Sequence, residues 1–346
     1  MRLSVIIPMY NVEPYVERCL RSLEIQDIPQ ADYEIICIND GSPDDSRGIV
    51  IRMQKEFDNI ILIDQENQGV SRARNNGIDK AVGQYLLFID PDDYVDTDSF
   101  ARILENATRQ RAQVSFLGFT FLYEDGRIRK AVINDEYKNK VYPGIEAYYL
   151  ARGDGKTDPD RMWAVLYEEK FLNHHHLRYL PDVPYLEDGE FLARILCLAE
   201  RCIFDGHSFY QRTTRRGSAT NSKLFNSVRA TNGFLLATSS LKRFQKMQSL
   251  NEKQREFLNQ PIVKFVLLAV HSSIGWKERK KLVATTKTLK ALGFKRIKLE
   301  GCKRNYQIYG KAYNLSPYLG ALALILYPRV NRLYQHIISR KKILAK

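Results

Sequence analysis

The sequence predicts an α/β protein: a mostly parallel sheet flanked by helices, followed by a helical, basic carboxyl-terminal region. Three observations lead there. Short apolar runs alternate with helically spaced segments through the first hundred residues, the mark of βαβ units and a parallel sheet. The run Leu86-Leu87-Phe88-Ile89 passes directly into Asp90-Pro91-Asp92-Asp93, so a strand buried on both faces ends in a cluster of carboxylates. The charge is also divided: residues 1–150 carry 17 Lys+Arg against 25 Asp+Glu, while residues 220–346 carry 26 against 4.

The elements follow in order. Leu3-Ser4-Val5-Ile6-Ile7-Pro8 reads as a first buried strand, with Met9-Tyr10-Asn11 as a loop. Pro14 suits the first turn of a helix running to Glu24, with Val16, Leu20 and Leu23 on one face. Residues 33–38 form a second strand ending at Asn39-Asp40-Gly41-Ser42, and a helix covers about 44–57. A short strand spans 60–63, Asn67-Gln68-Gly69 turns, a helix covers 71–81, and 85–89 is the strand that ends in the acids. In a parallel sheet these strand ends share one edge, so their polar clusters converge on one crevice. Neither a GxGxxG nor a GxxxxGK[ST] motif occurs. Hard oxygen donors such as Asp90 and Asp92 suit Mg²⁺ or Mn²⁺, ions held by one or two carboxylates together with substrate phosphates.

Four stretches resemble family 2 glycosyltransferases, inverting enzymes of the GT-A fold. They are Ser4 to Asn11, Ile38-Asn39-Asp40-Gly41-Ser42, Asn67 to Gly77, and Phe88 to Asp93, in that order and spacing. The resemblance implies a nucleotide-sugar donor, usually a UDP-sugar, and assigns roles. Pro8, Tyr10 and Asn11 would line the nucleobase and ribose pocket, and Asp40 would accept a hydrogen bond from the base. Asn67, Gly69 and Arg74 would approach the ribose, diphosphate and sugar. Asp92 would hold the metal directly, with Asp90 on the ribose or the metal's water shell. Arg74 has a simpler reading as a surface residue paired with an acid, and Asp93 as a cap on the segment that follows.

Residues 98–110 read as a helix and 113–122 as a strand. Residues 124–160 are polar and poorly patterned, and 162–172 read as a short amphipathic helix in which Trp163 either belongs to the core or stacks on a sugar face. His174-His175-His176 reads as a solvated turn, since consecutive residues do not face one site. Glu187-Asp188-Gly189-Glu190-Phe191 resembles the family's Glu-Asp-x-x-Phe motif and makes Asp188 the catalytic base; acids complementing a helix dipole are the alternative. Residues 202–204 and 208–210 read as two short strands. The Tyr210-Gln211-Arg212 and Arg215-Arg216-Gly217-Ser218 segment resembles the end of the family's catalytic domain, where an Arg could clamp a diphosphate. His207 is a further candidate ligand.

The domains are therefore 1–219, with a nucleotide-sugar half (1–97) and an acceptor half (98–219), and a basic helical region, 220–346. Five cysteines without a CxxC fit a reducing cytoplasm, and a strand beginning almost at Met1 leaves no room for a leader. The apolar run 315–328 is too short to span a bilayer. It either lies in a membrane interface or packs as a helix. With the basic residues around it, an anionic membrane surface is the expected partner, on the inner face of the cytoplasmic membrane, and nucleic acid is not. The expected acceptor is a glycan or lipid-linked glycan. Competing functions are a sugar-nucleotide pyrophosphorylase, which would need a Gly-rich loop after the first strand, and a non-enzymatic polyanion binder, which would not need an acidic crevice.

Overall fold

The computed structural model describes residues 1–131, 133–138, 140–151, 159–214, 223–274, 279–324 and 326. The chain divides into two compact units, Met1–Asn221 and Ser222–Lys346.

The first unit is built on one mixed sheet. Its strands are β1 (Leu3–Met9), β2 (Tyr33–Asp40), β3 (Ile60–Gln65), β4 (Tyr85–Phe88), β5 (Tyr94–Val95), β6 (Val114–Leu122), β7 (Ile128–Ala131), β8 (Val165–Glu168) and β9 (Cys202–Thr213). Their order is β3-β2-β1-β4-β8-β6-β9-β5, with β7 paired to β6. The expected parallel block is β3-β2-β1-β4, so the carboxyl ends of these strands share an edge. Between β4 and β6 runs β8, antiparallel to both.

The helices of this unit are α1 (Glu13–Glu24), α2 (Ser46–Met53), α3 (Val70–Lys80), α4 (Phe100–Arg109), α5 (Gly144–Leu150), α6 (Glu169–His174) and α7 (Glu187–Leu198). Strand alternation divides β1 between two layers. Leu3, Val5, Ile7 and Met9 join Val16, Leu20 and Leu23 of α1 in the main core. On the opposite face Ile6 lies under α3, where a Cβ on Gly77 would come within 2.4 Å of Ile6 Cγ2. That close approach sets α3, and Arg74 one turn before Gly77, hard against the sheet.

Two sequence expectations are corrected. Residues 162–172 are not one helix: Val165 to Glu168 are a strand, and only Glu169 to His174 are helical. Val165, Leu166 and Tyr167 are fully buried with ladder partners on both sides, which overrides the helical spacing. Residues 202–213 form a single strand, kept continuous past Gly206-His207 by register shifts opposite Leu117, Gly118 and Phe119.

The second unit contains α8 (Val228–Gln245), α9 (Glu252–Phe257), α10 (Asn259–Ser272), α11 (Arg279–Ala291) and α12 (Arg304–Leu315). Ser227 caps α8 by accepting from the Ala230 N–H, and Asn251 with Gln254 closes a capping box on α9. Phe234 of α8 meets Phe265 of α10 at 6.2 Å between ring centroids. No helix among the described residues is long and apolar enough to cross a membrane. The sequence features at residues 215–218, Lys277, Pro328 and 340–342 lie outside the described residues.

Candidate active site

A cavity of about 480 Å³ opens at the carboxyl edge of the parallel strands. Among the described residues, seven carboxylates line it (Asp40, Asp90, Asp92, Asp93, Asp160, Glu187 and Asp188), with Arg74 and Arg212 as the cations. The volume falls in the range of about 300–1,000 Å³ usual for small-molecule sites. The excess of acid makes it a place for a cation.

Each wall has a local cause. Pro8 and Tyr10 come from the end of β1, and Tyr10 is half exposed at the rim. After β4 the chain turns at Asp90 and Pro91, and Asp93 ties the turn to β9. The Tyr210 hydroxyl donates to Asp93 Oδ2 at 2.7 Å, and the Thr213 N–H donates to Oδ1 at 2.7 Å. The Asp92 carbonyl accepts from Arg18 Nη2 and Thr213 Oγ1, at 2.7 and 2.6 Å. From the far side comes the first turn of α7, preceded by Leu186 at φ 59°, a left-handed conformation that costs a non-glycine residue about 1–2 kcal/mol. Such strain beside Glu187 and Asp188 is typical of a functional corner.

Arg74 joins the two sides. Its Nη1 donates to Glu187 Oε1 at 2.8 Å and to Asp188 Oδ1 at 3.0 Å, and its Nη2 donates to Asp90 Oδ1 at 3.4 Å. The guanidinium also lies 5.1 Å from the Tyr179 ring centroid, and its side chain is only 4% exposed. The surface-residue reading of Arg74 therefore fails. Burial pushes Asp188 well above the usual carboxylate range; Arg74 opposes this, and Glu187, Asp90 and Asp160 reinforce it. Burial likewise lifts Asp90 to about 6, against the pull of Arg74 and with a push from Asp92. It lifts Asp93 to about 7, with Asp90 and Asp92 adding to the effect.

Of the sequence-predicted residues, Pro8, Tyr10, Asp40, Arg74, Asp90, Asp92 and Asp188 line this cavity. Asn11, Asn67 and Gly69 are not among its lining residues. The Asn11 N–H donates to Ser42 Oγ, and Asn67 Nδ2 donates to the Asp40 carbonyl. Gly69, at φ 88°, donates its N–H to Asp40 Oδ2 at 2.8 Å. Asp40 Oδ1 accepts from Gln65 Nε2 and the Gln68 N–H. Asp40 thus pins the turn that starts α3. Trp163 lines the cavity and stacks on Tyr210 at 5.1 Å, and Arg212 lies beside it. His207 instead contacts Ser99 and Asp96 and lies off the cavity wall. His174 ends α6 and stands edge-to-face with His175, again away from the cavity. Glu190, fully buried, is bound at both oxygens by Arg194 and serves the helix.

Asp160 was missed from sequence because it closes a stretch with no periodicity. Glu187 belongs to the Glu-Asp-x-x-Phe stretch, in which the sequence assigns a role to Asp188 alone; its ion pair with Arg74 needs the fold to be seen.

Comparison with known proteins places this geometry. Residues 4–163 match the model of glycosyl transferase family 2. The chain is 34% identical over 200 residues to an uncharacterized glycosyltransferase, EpsJ, of Bacillus subtilis, covering 57% of each chain. It is 30% identical over 222 residues to the glycosyltransferase GlyA of Streptococcus pneumoniae, covering 63% of this chain and 31% of that one. The matches thus span 57% and 31% of these relatives' own lengths. Among solved structures, S. aureus TarS 1–349 in complex with UDP-GlcNAc superposes with a TM-score of 0.66 at 17% identity, over 94% of this chain and 92% of that one. The likeness is one of fold, and the fold is GT-A. The family-model match and these relatives agree in likening residues 4–163 to glycosyl transferase family 2.

Proposed function

We propose that the protein transfers a sugar, with inversion, from a nucleotide-sugar donor to a hydroxyl of a glycan or lipid-linked glycan, and that Asp188 is the general base. The observation that carries this reading is Arg74, which ties the acid at the donor strand tip, Asp90, to the acid at the start of α7, Asp188. The two chemical halves of a glycosyl transfer are thereby held one guanidinium apart.

On the donor side, Pro8 and Tyr10 receive the nucleoside. Asp40 uses three of its roughly four lone-pair sites on Gln65, Gln68 and Gly69, which leaves one on Oδ2 for a base N–H such as that of uracil. Asn11, Asn67 and Gly69 hold the loops that shape this end, and Arg74 approaches the diphosphate and sugar. The donor set suits Mn²⁺ or Mg²⁺. Asp90 and Asp92 offer hard oxygens in a cavity whose crowded acids are driven to bind protons, and among the described residues no cluster of three ligands builds a complete cage. This matches an ion shared with substrate phosphates. When bound, such an ion supplies Lewis-acid stabilisation to the departing diphosphate.

On the acceptor side, Asp188 takes the proton from the attacking hydroxyl. Its burial raises its proton affinity, and general-base help of this kind is worth about 10²–10⁴-fold in rate. One displacement inverts the anomeric centre. Screening UDP-sugars for metal-dependent hydrolysis, then for transfer, tests the reading. Loss of transfer in both Asp92→Ala and Asp188→Ala supports it, and retention in both overturns it.

We also place the second unit at an anionic membrane surface. Tyr318, Leu319 and Leu322 are exposed on the helix over residues 317–324, and Leu315 is 82% exposed just before it. An apolar stripe within so basic a region fits interfacial binding.

A further inference from the structure

Strands β7, β6 and β9 lie side by side, and their register sets three residues in one row. Phe121 of β6 pairs with Arg129 of β7 on one side and with Arg212 of β9 on the other. Directly opposed residues share a face of the sheet. The Arg129 guanidinium lies 4.4 Å from the Phe121 ring centroid, and that of Arg212 lies 5.3 Å from it. Two residues earlier on β6, Phe119 carries the guanidinium of Arg161 at 4.5 Å. Phe119 meets Phe121 and Trp163 edge-to-face at 5.3 and 4.9 Å, so the rings form one continuous patch. Trp163 and Arg212 line the catalytic cavity, while Arg129 and Arg161 do not. The row therefore continues from the cavity wall along the sheet, with Phe119 buried in the core and Arg129 exposed at its far end.

Among the described residues, neighbouring Arg127 is paired with Asp125, but Arg129, Arg161 and Arg212 form no carboxylate ion pair. Arg161 Nε is buried without a hydrogen-bond acceptor. Burial pulls its guanidinium down to about 10. Arg212 faces the acids of the cavity and eases the ionisation of Asp90, whereas Arg129 and Arg161 lie over ring faces with no carboxylate bridged to them among the described residues and can meet an anion that is not the protein's own.

We propose that this row is the acceptor track and that the acceptor carries phosphate. The guanidinium forks match phosphate oxygens, and the rings beneath hold them in place. The inference rests on the transferase reading above and names its acceptor class. A polyol-phosphate chain and a lipid diphosphate offer the same chemistry.

The test uses the full chain with saturating donor and four acceptors sharing one terminal saccharide: neutral, polyol-phosphate-linked, linked to a short polyprenyl diphosphate, and uronic-acid-bearing. Arg129→Gln, at an exposed position, and Arg161→Gln are predicted to raise KM for a phosphate-bearing acceptor roughly 10-fold or more, the loss of one charge-assisted hydrogen bond. The kcat, the neutral-acceptor KM and acceptor-independent donor hydrolysis should hold. The phosphate acceptor that shows the effect identifies the source. An unchanged KM in Arg129→Gln, an equal rise with the neutral acceptor, or a preference for the uronic acid overturns the proposal. Calorimetric binding of the polyol-phosphate oligomer and of the short polyprenyl diphosphate gives a readout apart from turnover. If the native chain transfers to no acceptor, the transferase reading fails. The track then stands if Arg129→Gln weakens binding of either ligand, and falls if it weakens neither.

Discussion

Arg74 concentrates the electrostatics of the site, and its partners make separate predictions. The guanidinium favours the ionised form of Asp188, and Glu187 disfavours it. Asp188→Asn should lower kcat by about 10²–10⁴-fold with little change in donor KM. In the native enzyme the acid limb of the pH profile should lie above the usual carboxylate range, because activity needs Asp188 ionised and burial raises its pKa. Removing the neighbouring negative charge by Glu187→Gln should move that limb to lower pH. Removing the positive charge by Arg74→Gln should move it to higher pH. Profiles of kcat/KM against pH check both signs. The acids themselves were legible in the sequence, since each follows an apolar run or opens a helix. The linkage was not: the partners of Arg74 lie 16, 113 and 114 residues away.

Helix α3 depends on Gly77 as its point of closest approach to β1. Helix propensity alone favours alanine over glycine by about 1 kcal/mol. Here the added Cβ would meet a branched, fully buried Ile6 at 2.4 Å, and overpacking of this kind costs about 1–3 kcal/mol. Gly77→Ala should therefore lower Tm, and it should lower kcat as well because Arg74 moves with the helix; thermal melts and steady-state rates check it. The elements that were legible, β1 through β4 and α1 through α3, are those whose apolar period and local turns agree. The 162–172 segment was misread because its apolar run is short enough to suit either period, and pairing with β4 and β6 decides it. The track of Arg129, Phe121 and Arg212 was invisible for the same reason: cross-strand register is not written in any one segment.

At the scale of the whole molecule, acid belongs to the first unit and basic charge to the second. The expected consequence is binding to vesicles of anionic lipid, weakening with salt and halved or worse by Leu319→Asp with Leu322→Asp; co-sedimentation measures it. Equal binding to neutral vesicles would remove the electrostatic part of that account. The division of charge is visible in the sequence, whereas the exposed stripe needed the helix over 317–324 to be seen. The account as a whole stands most directly on calorimetry with UDP in the presence and absence of Mn²⁺. Native protein and Asp188→Asn should both bind UDP with manganese, and Asp92→Asn should lose the metal-dependent part, while only the native protein turns over. UDP binding that ignores manganese, or that survives unchanged in Asp92→Asn, would contradict the claim that these acids receive the donor.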